Sequence, residues 1–217
     1  MRQEWDELSA TFCVSCTACP RLVGFLAEVR ADFPDYHARP VPAFGDELPW
    51  LLIVGLAPGL HGANRTGRPF TGDHAGILLY QTLHRYGFAS RAQSVGSEDG
   101  LMLQGCRITN AVKCLPPANK PESGEIRQCN AYLAAEIQAL PADIAILALG
   151  AVAHAAVLMA LGLPPKTHKF EHGAVHAVGG KRKLYDSYHC SRYNTQTRRL
   201  TPAMFHAVFD RICADRG

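Results

Sequence analysis

Cysteine is the residue type whose spacing here most directly suggests chemistry. Cys13, Cys16 and Cys19 run C-x2-C-x2-C, and Cys114 and Cys129 follow far downstream with 14 residues between them. Four thiolates hold either a tetrahedral zinc or an iron–sulfur cluster. The zinc pattern wants two close pairs, whereas this chain offers one close pair or triplet and two widely spaced partners. Cys114 also lies beside Pro116 and Pro117, in a loop stiff enough to fix a ligand. The pattern favours Cys16, Cys19, Cys114 and Cys129 around a [4Fe–4S] cluster, with Cys13 as the alternate for one of the close pair. Cys106 and Cys213 stand alone and read as small buried hydrophobes.

Two further stretches are crowded with polar side chains. In GLAPGLHGANRTGRPFTG, Gly55, Gly59, Gly62, Gly67 and Gly72 fall within 18 residues. Glycines let a backbone approach a flat or anionic ligand closely. The spacing is neither G-x-G-x-x-G nor G-x-x-x-x-G-K-[ST], so it is not a nucleotide loop of those kinds. The stretch adds Asn64, Arg65, Thr66 and Arg68 for an anion, Phe70 for stacking, and then the carboxylate Asp73. Singly, Asp73 could be a helix N-cap and Phe70 a core residue; together in one glycine-rich loop they favour a site. The second stretch runs from Tyr188 through His189 and Cys190 to Arg199. Residues 181–200 hold six basic side chains against Asp186 alone, a local excess larger than the +3 of the whole chain. Hydroxyl, amide and guanidinium groups in one loop suit backbone phosphates.

These residues need elements to hold them. Pro20 suits a first helical position, and Leu22, Phe25, Leu26 and Val29 share one face of a helix over 20–30. Residues 31–49, with four prolines, read as an irregular arm. Trp50 to Val54 is an apolar run of the kind buried on both faces of a parallel sheet. A helix follows Asp73, carrying Ile77, Leu78 and Leu83. Strands are expected over Arg107–Val112 and Asp143–Leu149, with helices over 122–139 and 151–161. GAVHAV and KLYDSYH give short strands around Gly179 and Gly180. Thr201 and Pro202 open a closing helix. The alternation predicts an α/β fold: a three-layer α/β/α sandwich with a mostly parallel central sheet of about four strands. The expected organisation is one domain over 1–217, with a cysteine-bearing arm, 1–49, packed on it. In such sheets chemistry sits at the carboxyl ends of strands, where both polar loops begin.

Composition closes off other classes. A 47% hydrophobic and 19% charged chain is not a disordered one. The longest apolar run, Ile144 to Leu149, is too short to span a bilayer, so no membrane partner is expected. The N-terminus MRQEWDELSATFC has no apolar stretch behind Arg2, which predicts a cytoplasmic protein with reduced thiols.

At this point a resemblance appears. GLAPGLHGANRTGRPFTGDHAG (55–76) and SYHCSRYNTQTRRLT (187–201) resemble the two signature motifs of the family 5, or B-type, uracil-DNA glycosylases. TNAVKCLPP (109–117), ILALGAVA (146–153) and GAVHAV (173–178) match the connecting blocks. Leu56 stands where the related family 4 carries Glu, which favours family 5. Cys190 departs from the family's Pro after the motif His, and is expected to put a thiol near the site. The resemblance implies a uracil-DNA glycosylase fold, the [4Fe–4S] cluster on the four cysteines, and monofunctional base excision. The substrates implied are uracil and other deaminated bases, hypoxanthine and xanthine, in double-stranded DNA, with the enzyme a monomer serving the nucleoid. The implied catalytic set is Asp73, His189 and Asn110. Asp73 replaces the polar water-activating residue that this family lacks early in the motif, as Ala57 and Gly59 agree. Gly55, Ala57, Phe70, Asn64 and Arg65 would bind the base, and Ser191, Arg192, Asn194, Thr195 and Arg198 would clamp the DNA. The rivals are an iron–sulfur redox protein, an iron–sulfur or zinc nucleic-acid-binding protein without glycosylase activity, and a family 4-like enzyme restricted to uracil.

Overall fold

The computed structural model describes residues 12–164 and 166–216. The first eleven residues of the expected arm, with the N-terminus that carried the cytoplasmic reading, lie outside the described residues, as do Pro165 and Gly217.

A parallel core of four strands organises the molecule. Strand β2 (Leu51–Gly55) pairs on one side with β3 (Cys106–Asn110) and on the other with β4 (Ala145–Leu149), which pairs in turn with β6 (Lys183–Ser187). All five residues of β2 are buried, as a strand covered on both faces must be. Two short antiparallel strands extend the sheet to six: β1 (Phe44–Gly45) on β3, and β5 (Val175–Ala177) on β6. The expectation of about four strands therefore holds for the parallel core. β1 lies inside the stretch read as an irregular arm, and a two-residue edge strand has no period to detect.

Alternation along the strands sorts side chains into two layers. Leu51, Ile53, Ile108, Leu147 and Tyr185 face helices α3 (His74–Arg85) and α7 (Pro202–Arg216), through Leu79, Leu83, Phe205 and Phe209. Leu52, Val54, Ile146, Ala148 and Leu184 face helices α4 (Ser123–Ala139) and α5 (Ala151–Ala160). Burying one such aliphatic side chain contributes about 1.5–3 kcal/mol, so the two faces dominate stability. A third cluster joins helix α1 (Pro20–Asp32) to Val112, Cys114, Leu115 and Cys129. α1 starts at Pro20, and Leu22, Leu26 and Val29 are its buried face. Two short helices complete the chain, α2 (Ala63–Thr66) and α6 (Arg192–Gln196). The second of these occupies what the sequence suggested was an extended loop. Among the described residues no helix is long and apolar enough to cross a membrane.

Candidate active site

A cavity of about 460 Å³ opens at the carboxyl ends of the parallel strands. Its walls come from segments far apart in sequence. The loop after β2 gives Leu56, Ala57 and Gly59, and the end of β3 gives Asn110. Asp73 and His74 stand at the start of α3, and His189, Ser191 and Arg192 follow β6. A sheet whose loops leave from one edge gathers such residues.

Asp73 is both cap and wall. One carboxylate oxygen, Oδ1, accepts from the Gly76 amide at 3.0 Å as the N-cap of α3. The other, Oδ2, faces Gly59 and Gly62; a Cβ at Gly62 would lie 2.5 Å from it, which explains a glycine there. Burial pushes the Asp73 pKa above the ordinary carboxylate value, against the pull of the Gly76 and Ala75 amides. Asn110 is buried, and its Oδ1 has no hydrogen-bond partner. An unpaired buried acceptor is costly, and Asn110 lines the cavity, where a ligand donor would relieve that cost.

Phe70 holds a left-handed backbone, φ 55°, and its ring stacks near His189 with centroids 5.8 Å apart. A Cβ at Gly55 would collide with the Phe70 ring and the Asn110 amide, so the bare end of β2 lets these two side chains meet. A Cβ at Gly76 would strike the Phe70 carbonyl. Burial drives the His189 pKa down to about 4, so its imidazole is neutral near pH 7 and offers one N–H and one lone pair.

Other expected site residues lie elsewhere. The Asn64 side chain is fully buried, its amide has no partner, and it does not line the cavity. Arg65 is exposed and donates through Nε to the His61 carbonyl at 2.8 Å. Arg68, read as a phosphate ligand, is buried and paired with Asp99 at 2.7 Å. Cys190 packs in the hydrophobic core and lines no part of the cavity, so its thiol is not presented to a ligand. In the 191–199 loop, Ser191 caps α6, and Asn194 donates to the His189 carbonyl at 2.8 Å. Thr195 contacts His74, and Arg198, with φ 57°, lines a neighbouring groove.

Motif reading missed two wall residues. Asn119 follows Ala118 in a turn where both have positive φ, 54° and 52°. Asn tolerates that conformation better than most residues, and Pro116-Pro117-Ala118-Asn119 carried the signal. His74 was hidden behind the carboxylate beside it.

Cys16, Cys19, Cys114 and Cys129 line one second cavity, also of about 460 Å³, walled by Leu22, Val23, Val112 and Tyr132. Cys13 is exposed, with its thiol 3.1 Å from the Ser15 hydroxyl, and does not line it. A tetrahedral zinc with ~2.3 Å bonds holds its sulfurs roughly 3.8 Å apart. Among the described residues, no three of these cysteines bring their sulfurs within 4.8 Å of one another. The Lys113 amide donates to the Cys129 sulfur at 3.3 Å, a polar contact of the kind that tunes a cluster. One described trio does meet that spacing, His154, His176 and Asp186, but its atoms are hydrogen-bonded directly at 2.8 and 3.0 Å. The other His154 nitrogen, Nε2, donates to the His168 carbonyl at 2.9 Å. A protonated His154 thus fills the trio, and Asp186 holds its pKa above the ordinary value despite the opposing cost of burial.

Comparison with known proteins places the chain in a family. The family model described as "Uracil DNA glycosylase superfamily" matches residues 42–213. The chain is 48% identical over 199 residues to a type-5 uracil-DNA glycosylase of Thermus thermophilus, covering 89% of this chain and 90% of the relative. It is 45% identical over 211 residues to the type-5 protein of Mycobacterium leprae, covering 94% and 92%. A type-4 uracil-DNA glycosylase of Thermotoga maritima is 28% identical over 203 residues, covering 92% and 90%. The chain belongs to the uracil-DNA glycosylase superfamily and, within it, to the type-5 family of N-glycosyl-bond hydrolases.

Proposed function

We propose that this protein removes uracil, and also hypoxanthine and xanthine, from double-stranded DNA in base excision repair, acting as a monomer built on one domain. The observation that carries the reading is the convergence of Asp73, Asn110, Phe70 and His189 on one cavity at the carboxyl edge of the sheet. A base inside a duplex is out of reach, so it must be extruded into such a pocket. About 460 Å³ lies within the usual range for small-molecule sites and leaves room for a purine.

Phe70 offers its ring to the flipped base. The Asn110 amide, with its unpaired Oδ1, reads the polar edge as acceptor and donor. Hydrolysis breaks the C1′–N bond; water delivers hydroxide to C1′ and the departing base ends with the proton. Positive charge grows on the sugar and negative charge on the base. Asp73 positions the water and stabilises the cationic sugar. Neutral His189 donates its N–H toward the leaving base without bringing net charge. Arg192 and Ser191 on the cavity wall, with Arg198 beside it, suit the flanking phosphates.

Cys16, Cys19, Cys114 and Cys129 would hold a [4Fe–4S] cluster, which supplies a structural tie between the N-terminal segment and the loop after β3. Cys13 has no part in that set.

The test is base release from duplexes carrying one uracil or one hypoxanthine, with wild type and Asp73→Asn. Wild type should release both, and the variant should lose about 10²–10⁴ in rate. Release of neither base by the cluster-replete protein would overturn the reading in favour of a nucleic-acid-binding protein without glycosylase activity.

A further inference from the structure

His74 stands beside Asp73 and faces two spaces at once. It lines the main cavity and also the adjoining groove, with Ile77, Leu78, Gln81, Thr195 and Arg198. Its Nε2 lies 3.0 Å from the Thr195 Oγ1. That hydroxyl is 3.1 Å from both the Ser191 and Arg192 carbonyls, which can only accept. With the Thr195 proton on one of these carbonyls, His74 is the donor through Nε2–H. Among the described residues, this is the one side-chain hydrogen bond between segments 55–76 and 187–201.

The element it holds cannot hold itself. α6 has five residues, far below the length at which a helix is stable alone. It is anchored by the Ser191 cap and by Asn194 on the His189 carbonyl. Both anchors are local to their own segment and neither fixes the distance to Asp73. Yet α6 presents Arg192 to the cavity and leaves Tyr193 69% exposed. A one-ångström displacement of such a wall loosens a bound nucleotide.

We infer that His74 is a positioning residue: through Thr195 it latches the short helix after β6 to the start of α3, and so sets the width of the site for the extruded nucleotide and its flanking phosphate. This rests on the glycosylase reading. Because the latch lies between the cavity and the neighbouring groove, its loss falls on substrate binding more than on the bond-breaking step.

The experiment measures KM and kcat for uracil release with wild type, His74→Ala, His74→Gln, Thr195→Val and the His74→Ala/Thr195→Val double variant. Wild-type turnover is the control: if it is absent, the glycosylase reading fails and the latch is not at issue. Given an active wild type, His74→Ala and Thr195→Val should each raise KM about 3- to 10-fold, the range of one net hydrogen bond, with a smaller change in kcat. The double variant should be no worse than either single one. His74→Gln, whose amide can reach the same oxygen, should restore most of the loss and also guards against misfolding of the alanine variant. Independent, multiplying effects in the double variant would overturn the latch. So would a fall of about one in the slope of log KM against log salt in His74→Ala, since that marks a direct phosphate contact.

Discussion

At the scale of single residues, burial divides the work between two titratable groups. Burial raises the Asp73 pKa and lowers that of His189 to about 4, because it penalises the charged form of each. The proposed reaction needs the opposite of what acid supplies: an ionised Asp73 and a neutral His189. Both conditions fail only as pH falls, and His189 stays neutral through the range where a free histidine titrates. The kcat/KM profile should thus decline only toward acid, with no inflection from His189 in the range where a free histidine titrates. Asp73→Asn should be flat and low throughout. An inflection near 6.5 in wild type that vanishes in His189→Asn would show that a histidine cation takes part, against this assignment. These roles were only half legible beforehand. Motif spacing singled out Asp73, Phe70 and His189, and the family resemblance Asn110, but neither gave warning that Asn64 and Arg68 in the same loop turn inward.

At the scale of elements, Arg68 shows why. Its guanidinium meets Asp99 at 2.7 Å and Ser94 at 3.0 Å, and lies 4.3 Å over the Phe44 ring. It thus joins the glycine-rich loop, the 90–100 segment and the edge strand β1. Burial alone would raise the Asp99 pKa, but the Arg68 bond and the Leu101, Val95 and Gly96 amides hold it well below the usual carboxylate range. A basic residue among glycines reads as an anion ligand until its partner is known, and Asp99 is 31 residues away. Nothing local in the sequence pairs them. Removing one member leaves a buried charge uncompensated, at a cost of about 3–5 kcal/mol. Asp99→Ala should therefore lower Tm by roughly 6–20 °C for a chain of this size. A shift of a degree or two by calorimetry would mean that solvent or another group takes over Arg68. The same contrast separates the elements read well from those missed. β2 and β4 are apolar runs and α4 is a 17-residue helix, whereas β1 has two residues and the five of α6 are polar, and both are set by tertiary contacts.

At the scale of the whole molecule, the two cavities are neighbours along one stretch of chain. Residues 110–119 carry Asn110 and Asn119 into the main cavity and Cys114 into the cysteine cavity between them. The α/β/α layering was readable because strands alternate with helices along the chain and the central strand is a continuous apolar run. Among the described residues, the contacts that join the N-terminal segment to this frame include the α1 cluster and the bidentate Arg21–Glu125 pair, both bonds 2.8 Å. Arg21 is partly exposed, so that pair adds little by itself. The proposed cluster would add to this attachment, as metal-linked segments do when binding and folding are coupled. Loss of the proposed cluster, by Cys129→Ser, should loosen α1 and residues 111–119 while β4 and β6 stay protected, because the sheet has its own two apolar layers. Amide hydrogen exchange reads this segment by segment. The same variant should lose uracil release without losing the fold, since the loop that carries Asn119 is anchored at Cys114. Unchanged exchange in α1 and in 111–119 would show that packing alone holds this segment, and that the four cysteines do not tie the arm to the site.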